Sequence, residues 1–350
     1  MEDIVIIGGG LSGAALLWSL AEAGRQALLL EGNVIGGGGA TAHSRGIVRV
    51  YDPVPQLAAW SLEGLRFWQS FSEGRPGVYT PVGMAYFLAP ENIGRAEAFL
   101  SGPGGNSHGM RLARAAEIAE RCPVLHDGFA ADDRVALWEP EAGHVDPRAA
   151  ARALADVAVG QGAAVIEGIP IRRIRQMADH FRVETGFGAV EARQVVMATG
   201  AAARLLEEDL PLETRSIVLS CFAAPGGAQP GICLIDEVSQ SYLRPGQPGH
   251  FYVGGARPAI GPSPAALEID APGAMVENIA NARVLLGDHG YQPVNAHLGH
   301  DGYTADYLPL LRDPGPGQVG LFTGFSGRGA KYIPVLAQTC VQGWLQRGLI

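Results

Sequence analysis

The 350-residue sequence lacks the patterns that mark metal centres and disulfide-rich domains. Its four cysteines lie far apart and no two of them form a CxxC pair, so neither a metal site nor a disulfide framework is expected. We interpret them as reduced residues that mostly serve packing: Cys122, Cys221, Cys233 and Cys340.

The sequence also lacks an excess or a run of positive charge. Its 26 basic and 35 acidic residues give a formal net charge of −9. This balance leaves no electrostatic footprint for nucleic acid and no polybasic patch for a membrane. A small molecule or another protein is therefore the expected partner.

No stretch has the pattern of a signal peptide or a membrane span. The apolar residues 4–23 lack a basic leading segment, follow two acidic residues and contain four glycines. They predict a folded strand, turn and helix, and we expect a cytoplasmic protein. With 47% hydrophobic residues, 49 glycines and 24 prolines, the chain has the composition of a compact globular protein, and its length suits two domains.

The sequence begins with the pattern of a dinucleotide-binding fold. Residues 3–8 predict a parallel strand and residues 11–23 a helix, with Gly8, Gly10 and Gly13 in the turn between them. The first glycine permits the tight turn, the second lets the backbone approach a pyrophosphate, and the third lets helix and strand pack closely. The phosphates would lie at the positive end of the helix.

An acidic residue follows at the spacing that such a fold requires. A second predicted strand, residues 27–30, ends at Glu31, about 20 residues past the glycines. A carboxylate there accepts hydrogen bonds from both ribose hydroxyls of an adenosine and repels a 2′-phosphate. Strand, glycines, helix, strand and acid in this order predict a site for an adenosine diphosphate moiety.

A second glycine-rich loop, residues 36–49, is too close to the first to form another dinucleotide fold. Here the sequence resembles the superfamily of D-amino-acid oxidase, glycine oxidase and sarcosine oxidase, and Ile47-Val48-Arg49 is similar to the Ile-Ile-Arg segment of its sarcosine oxidase branch. Similar motifs recur in the family's order at residues 79–86, 142–147, 195–200 and 320–334. The cofactor implied by this resemblance is FAD.

The resemblance implies an α/β fold in which a Rossmann-like FAD-binding domain is interleaved with an α+β substrate domain built on an antiparallel sheet. The FAD-binding domain would comprise residues 1–80, 142–212 and 295–350, and the substrate domain residues 81–141 and 213–294. Alternating apolar runs in residues 214–256 also predict the antiparallel sheet. Residues 258–274, rich in proline, glycine and alanine, predict an ordered excursion or a lid.

The glycine-rich segments and the acid supply the cofactor-binding residues that the resemblance implies. A predicted helix from Tyr332 onward would direct its positive N-terminus at the flavin, which favours the charge gained on reduction. Since no second GxGxxG stands between a predicted strand and a predicted helix to bind a nicotinamide, the resemblance implies a flavin that is reduced by its own substrate. The expected cofactor-binding residues are Gly8, Gly10, Leu11, Ser12, Gly13, Glu31, Gly32, Thr41, Ala42, His43, Ser44, Arg45, Gly200, Gly327, Arg328, Gly329, Ala330 and Lys331.

The resemblance further implies hydride transfer from a carbon that bears an amine, with Arg49 and Lys331 binding a substrate carboxylate. Two alternatives stay open at this point. Arg49 could instead pair with a phosphate or an internal acid, and Lys331 could cap backbone carbonyls or point to solvent. Tyr242 and Arg244, on a predicted strand, are either cavity residues or a tyrosine of the sheet and an arginine at the surface.

Two positions depart from the family's pattern at sites of catalytic interest. Asp301 stands where glycine oxidases carry a carboxylate-binding arginine and covalent sarcosine oxidases a flavin-linking cysteine, so a noncovalent flavin is expected. Tyr252 stands where sarcosine oxidases carry an oxygen-activating lysine, which leaves oxidase and dehydrogenase both open. Two further functions stay open: modification of a protein side chain, as in the flavoproteins that mature quinone-cofactor amino-acid oxidases, and a non-catalytic FAD-binding subunit.

Overall fold

A computed structural model of the protein describes residues 1–102, 105, 108–122, 124–131, 133–227, 230–287 and 290–350. The α-helices of this part of the chain are α1 Leu11–Glu22, α2 Gly39–His43, α3 Pro55–Phe71, α4 Ile93–Ser101, α5 Ala115–Arg121, α6 Asp127–Ala131, α7 Pro147–Gly160, α8 Ala271–Leu286 and α9 Ile333–Gln346. The strands are β1 Glu2–Ile7, β2 Leu28–Leu30, β3 Ile47–Val48, β4 Tyr79–Pro81, β5 Met84–Phe87, β6 Arg111–Arg114, β7 Val135–Glu139, β8 Gly143–Val145, β9 Ala164–Ile166, β10 Ile171–Gln176, β11 Phe181–Thr185, β12 Gly188–Met197, β13 Glu213–Ala223, β14 Cys233–Asp236, β15 Ser241–Pro245, β16 His250–Gly254, β17 Ile260–Gly261, β18 Gln292–Tyr303, β19 Leu310–Arg312 and β20 Gly320–Thr323.

The first sheet has a parallel centre that is buried on both faces. β1 lies between β2 and β12, β9 extends the sheet beyond β2, and β20 pairs with the end of β12. Ile4 and Ile6 pack toward α1, α7 and α9, whereas Val5 and Ile7 pack on the opposite face. This continuous apolar strand is typical of a parallel sheet between two layers.

The second sheet is mostly antiparallel and runs β17-β13-β16-β15-β14-β5-β7-β6, with β18 paired along β13. The pair β14 and β5 is parallel. A small third sheet has the order β3-β8-β4. Its strand β3 is formed by the end of the second glycine-rich loop and pairs with β8. The predicted α/β class, with a Rossmann-like half and an antiparallel sheet, is confirmed.

Three details differ from the sequence-based expectations. Helix α8 begins inside the segment for which an excursion or lid is expected, because Asp270 caps it through the amide of Gly273. Helix α9 begins one residue later than expected, after a 3-10 turn at Gly329–Lys331. The expected boundary between the substrate domain and the FAD-binding domain, at residues 294 and 295, falls inside β18, which belongs to the second sheet. The division into domains stays a prediction.

Helix α3 supports the turn that precedes α9. The indole of Trp68 donates to the carbonyl of Ala330 at 2.8 Å. Gly64, one helical turn earlier, lies so close to the Lys331 carbonyl that any Cβ would clash with that backbone oxygen. The sequence therefore needs glycine here to hold α3 against the turn that carries Lys331.

We expect Gly64→Ala to lower the free energy of unfolding by about 1–3 kcal/mol, because overpacking must displace α3 or the turn. The matched control is Gly94→Ala in α4, where a Cβ meets nothing within 4 Å. Urea unfolding followed by circular dichroism measures both variants. A Gly64→Ala protein as stable as the control would contradict the close approach.

Candidate active site

A cavity of about 670 Å³ lies between the ends of the first sheet's strands and one face of the second sheet. The first sheet's side contributes the two glycine-rich loops and the segment after β12. The second sheet contributes side chains of β13, β14, β15 and β18. Of the predicted residues, those that line it are Gly8, Gly10, Leu11, Ser12, Glu31, Gly32, Thr41, Ser44, Arg45, Arg49, Gly200, Tyr242, Arg244, Asp301, Gly327, Arg328, Gly329, Ala330 and Lys331.

The glycine turn at the cavity's first end adopts a conformation that few other residues tolerate. Gly8 has φ +102°, and a Cβ at Gly13 would clash with the Gly8 carbonyl. Helix α1 begins at Leu11 without a capping side chain from Gly10. Its first amides therefore point toward the cavity, where a pyrophosphate can accept from them.

Glu31 and Thr41 fix the two glycine-rich loops to each other. The Glu31 carboxylate accepts from the amide of Gly9 at 2.5 Å and from that of Asn33 at 2.7 Å. The hydroxyl of Thr41 accepts from the amide of Leu11 at 2.9 Å, so the second loop satisfies one free donor of α1. The carboxylate still lines the cavity, at the position that the sequence predicts for a ribose contact.

Thr199 and Gly200, which follow β12, lie beside the turn at Gly8 and line the cavity. Gly200 has φ +55°, and a Cβ there would meet nothing within 4 Å. Beside it, the hydroxyl of Thr199 is buried and has no hydrogen-bond partner among the described residues. An unpaired hydroxyl and an open glycine fit a polar ligand that lies against this segment.

One buried carboxylate, that of Asp52, holds three cations at the far end of the cavity. Its oxygens lie 2.6 Å from Nζ of Lys331, 2.8 Å from Nη1 of Arg328 and 3.5 Å from Nη2 of Arg49. The Asp52 side chain is fully buried, whereas all three cations line the cavity. The other nitrogen of Arg49, Nη1, is buried without a partner in the described part of the chain.

A second buried acid fixes the backbone of the same segment. Glu139 of β7 accepts from the amides of Val50 and Tyr51 at 2.6 and 2.9 Å. Burial raises the pKa of Glu139, and the two amides oppose this shift. The segment that carries Arg49 is thus held by Glu139 on one side and by Asp52 on the other.

The Asp52 cluster shifts the pKa values of its members strongly. Burial alone would raise the pKa of Asp52, but Lys331, Arg49 and Arg328 bring it down to about 2. Burial lowers the pKa of Lys331 to about 7, with further lowering by Arg49 and resistance from Asp52. Near neutral pH, Asp52 is therefore ionised, and Lys331 loses its proton more readily than an ordinary lysine does.

The Asp301 carboxylate connects two segments of the backbone through hydrogen bonds. One carboxylate oxygen accepts from the amide of Gly302 and the other from that of Gly327, both at 2.8 Å. Burial raises the pKa of Asp301 to about 6, and these two amides oppose the shift. The carboxylate thus links β18 to the turn before α9. Asp301 also lines the cavity, but both of its carboxylate oxygens already accept hydrogen bonds from the backbone.

Tyr252, a predicted catalytic residue, is not among the residues that line the cavity. The guanidinium carbons of Arg45 and Arg244 lie 4.6 and 5.4 Å from its ring centre. The strand pairing places Tyr252 of β16 opposite Arg244 of β15, so the arginine takes the place nearer the cavity.

Three predicted cofactor-binding residues also lie outside the cavity lining. Gly13 serves the packing of α1 on Gly8, and Ala42 is buried within α2. His43 packs against Gly299 of β18, where burial lowers its pKa, followed by the charges of Arg45 and Arg148. All three residues lie in helices, where only one face meets the cavity, and the sequence predicted a loop at residues 42 and 43.

Asp52 is the site residue that sequence reasoning underrates. Its sequence neighbours suggest the end of a segment, and its partners Arg328 and Lys331 lie more than 270 positions away. One signal was present: Lys331 is the only lysine in the chain.

Comparison with known proteins assigns the fold and the cavity to a family. The sequence pattern of the DAO family, described as FAD dependent oxidoreductase, matches residues 3–342. The chain belongs to this family. FAD is accordingly its cofactor. The glycine turn, Glu31 and Gly200 line the cavity, and their contacts with FAD stay a prediction.

The family members with similar sequences are distant. Dimethylglycine dehydrogenase of Homo sapiens is 26% identical over 216 residues, which are 60% of this chain and 24% of that protein. The 4-methylaminobutanoate oxidase of Paenarthrobacter nicotinovorans is 27% identical, over 74% of this chain and 32% of its own length. The chain thus spans about a quarter to a third of these relatives. Glycine oxidase of Bacillus licheniformis is 25% identical over 61% of this chain and 58% of its own.

Solved structures share the whole fold. The L-proline dehydrogenase of P. horikoshii superimposes with a TM-score of 0.87 at 20% identity, over 100% of this chain and 94% of its own. Glycine oxidase of Geobacillus kaustophilus gives a TM-score of 0.80 at 22% identity, over 99% and 94%. Within the described residues, no helix combines the length and the apolar character that crossing a membrane requires.

Because Lys331 is the only lysine, labelling lysine with 15N at Nζ gives one side-chain signal to follow by NMR. We expect it to titrate near pH 7, and at lower pH in Asp52→Asn, since Asp52 raises the pKa of Lys331. The control Glu63→Gln, which alters an exposed pair with Arg66, leaves the titration unchanged. A wild-type midpoint at the ordinary value of 10.5 would overturn this electrostatic account.

The same pair of variants tests stability. Asp52→Asn leaves buried cations without their counter-ion and is expected to cost about 3–5 kcal/mol of unfolding free energy. Glu63→Gln breaks an exposed pair and is expected to change it by less than about 1 kcal/mol. Equal losses in urea unfolding would show that Asp52 has no special role.

Proposed function

We propose that the chain oxidises a C–N bond of a small amine or amino acid at noncovalently bound FAD. The observation that carries this proposal is the meeting of Arg49 and Lys331 at one end of the cofactor cavity. When bound, FAD supplies the acceptor for a hydride from the carbon that bears the nitrogen. The protein residues supply binding and orientation.

Arg49 is the residue best placed to bind a substrate carboxylate. Its Nη2 faces Asp52, whereas its buried Nη1 has no partner among the described residues. The guanidinium also lies 5.1 Å from the ring centre of Tyr86, which fixes its plane. A carboxylate that accepts from Nη1 would complete the donors of a side chain that is already oriented.

Lys331 supports this binding through its charge. Its Nζ is held by Asp52 at 2.6 Å, so the ammonium cannot turn away from the cavity end. Three cations share one carboxylate, which leaves the cluster with a surplus of positive charge when Lys331 is protonated. That surplus attracts an anionic substrate and favours negative charge on a reduced flavin.

The noncovalent attachment of FAD is supported by the residues around Asp301. No cysteine stands at that position, and all four cysteines are elsewhere, three of them buried. Small amines and amino acids are also the substrates in the names of the relatives, including dimethylglycine dehydrogenase and glycine oxidase.

The test is anaerobic reduction of the FAD-loaded protein by amino acids, N-methyl amino acids and matched amines without a carboxylate. We expect the flavin band to bleach with at least one carboxylate-bearing amine. Arg49→Met should weaken the binding of that amine about 10- to 100-fold, as loss of a charged hydrogen bond does. It should leave amines without a carboxylate unaffected.

Arg312→Met is the control, because Arg312 pairs with Glu207 and does not line the cavity. An FAD-loaded protein that no amine reduces would sink the proposal and favour a protein substrate or a non-catalytic role. Equal effects of Arg49→Met on both substrate classes would rule out carboxylate binding by Arg49.

A further inference from the structure

Arg244 is a buried cation in the cavity that the proposed reaction does not use. It lies on β15, lines the cavity and is only 8% exposed. Its Nε and Nη1 are buried and have no hydrogen-bond partner among the described residues. Burial lowers its pKa, which reflects the cost of keeping this charge out of water.

The surroundings of Arg244 do not supply a counter-ion. Asp146 is an acid whose charge reaches it, but that carboxylate already caps α7 through the amides of Arg148 and Ala149. Arg45 shares the Tyr252 ring with it, and the two ring distances together bound the separation of the guanidinium carbons at 10 Å. Arg45 already bonds to the Ser44 carbonyl and to His297, so Arg244 is the cation of the two that lacks a paired group, and a bound anion would offset the cost of its burial.

The strand register separates this site from Arg49. Tyr86, Ile235 and Tyr242 form one row across β5, β14 and β15, and Arg49 lies over Tyr86 at the first end of that row. Arg244 lies two residues beyond Tyr242 on the same face. Strand spacing and rise place the Cα atoms of Tyr86 and Arg244 roughly 12 Å apart.

The surface between the two arginines includes Ile235 of β14, the strand between β5 and β15, and this side chain lines the cavity. Ile217 and Leu219 line the same cavity from β13, on the far side of Arg244. Methylene groups would be buried against these side chains. A ligand that spans from Arg49 to Arg244 therefore needs an anionic group at each end and a short hydrocarbon spacer between them.

We infer that the substrate is an amine with two acidic groups, one bound at Arg49 and the other at Arg244. This inference rests on the proposed function, because it assigns the second end of the same substrate. A glutamate-like amine meets the requirement, whereas an amine with one carboxylate leaves Arg244 without a partner. Arg244 then acts as a specificity-determining residue.

The test measures ligand binding and needs no turnover. Isothermal titration calorimetry of the FAD-loaded protein compares glutarate with pentanoate and adipate with hexanoate, pairs that differ by one carboxylate. We expect the diacid to bind about 10- to 150-fold more tightly in each pair, as a charged hydrogen bond predicts. Arg244→Met should abolish this preference, Arg244→Lys should retain part of it, and Arg312→Met should leave it intact.

Arg244→Met removes a buried charge that has no ion pair, so the variant is not expected to unfold. An unchanged diacid preference in Arg244→Met would overturn the inference, and a loss of FAD affinity in the same variant would then make Arg244 a cofactor contact. The absence of any diacid preference in the wild-type protein would also overturn the inference, and amine reduction by that protein would leave the proposed function intact. A diacid preference that depends on Arg244, in a protein that no amine reduces, would refute the proposed reaction and keep the anion site.

Discussion

The arrangement of the candidate site depends on one buried carboxylate. Asp52 holds Lys331, Arg328 and Arg49 around itself, although these residues come from opposite ends of the chain. Each cation alone would be costly to bury, and the carboxylate alone would be costly as well. Together they fix the segment after β3 against the turn before α9, and the cavity gains positive charge with a defined geometry.

Close contacts hold the backbone on both sides of the Asp52 ion cluster. Gly64 lets α3 touch the Lys331 carbonyl, Trp68 holds the Ala330 carbonyl, and Glu139 holds the backbone next to Arg49. These contacts fix the backbone on either side of the ion cluster. A charge network of this kind keeps its distances only when its backbone supports cannot move independently.

The parts of the fold that could be predicted from the sequence are those whose signal is local. The turn at Gly8, the helix α1 and the acid Glu31 follow one another within about 20 residues, as such a fold requires, and the structure places them together. The resemblance to a family supplied Arg49 and Lys331. Helix α8 was missed because proline and glycine around Asp270 suggest a loop, although the capping acid was present.

What the sequence could not show is which charges find partners. Nothing in the sequence indicates a partner for Asp301, yet its carboxylate accepts hydrogen bonds from two backbone amides. From the sequence, Arg244 could be a cavity residue or a surface residue, and the structure shows that its Nε and Nη1 are buried without a hydrogen-bond partner among the described residues. Pairing depends on contacts between distant strands, and a register shift of one residue would exchange Arg244 for a neighbour.

The acids and the arginines around the cavity differ in whether their polar atoms are paired. The acids Glu31, Glu139 and Asp301 accept hydrogen bonds from backbone amides and so hold the cavity's shape, whereas Arg49 and Arg244 each keep a buried nitrogen without a partner among the described residues. An unpaired buried donor costs stability, so these two arginines support the proposed anionic substrate. The fold alone would not suggest that substrate, because the fold is shared with enzymes of several different names.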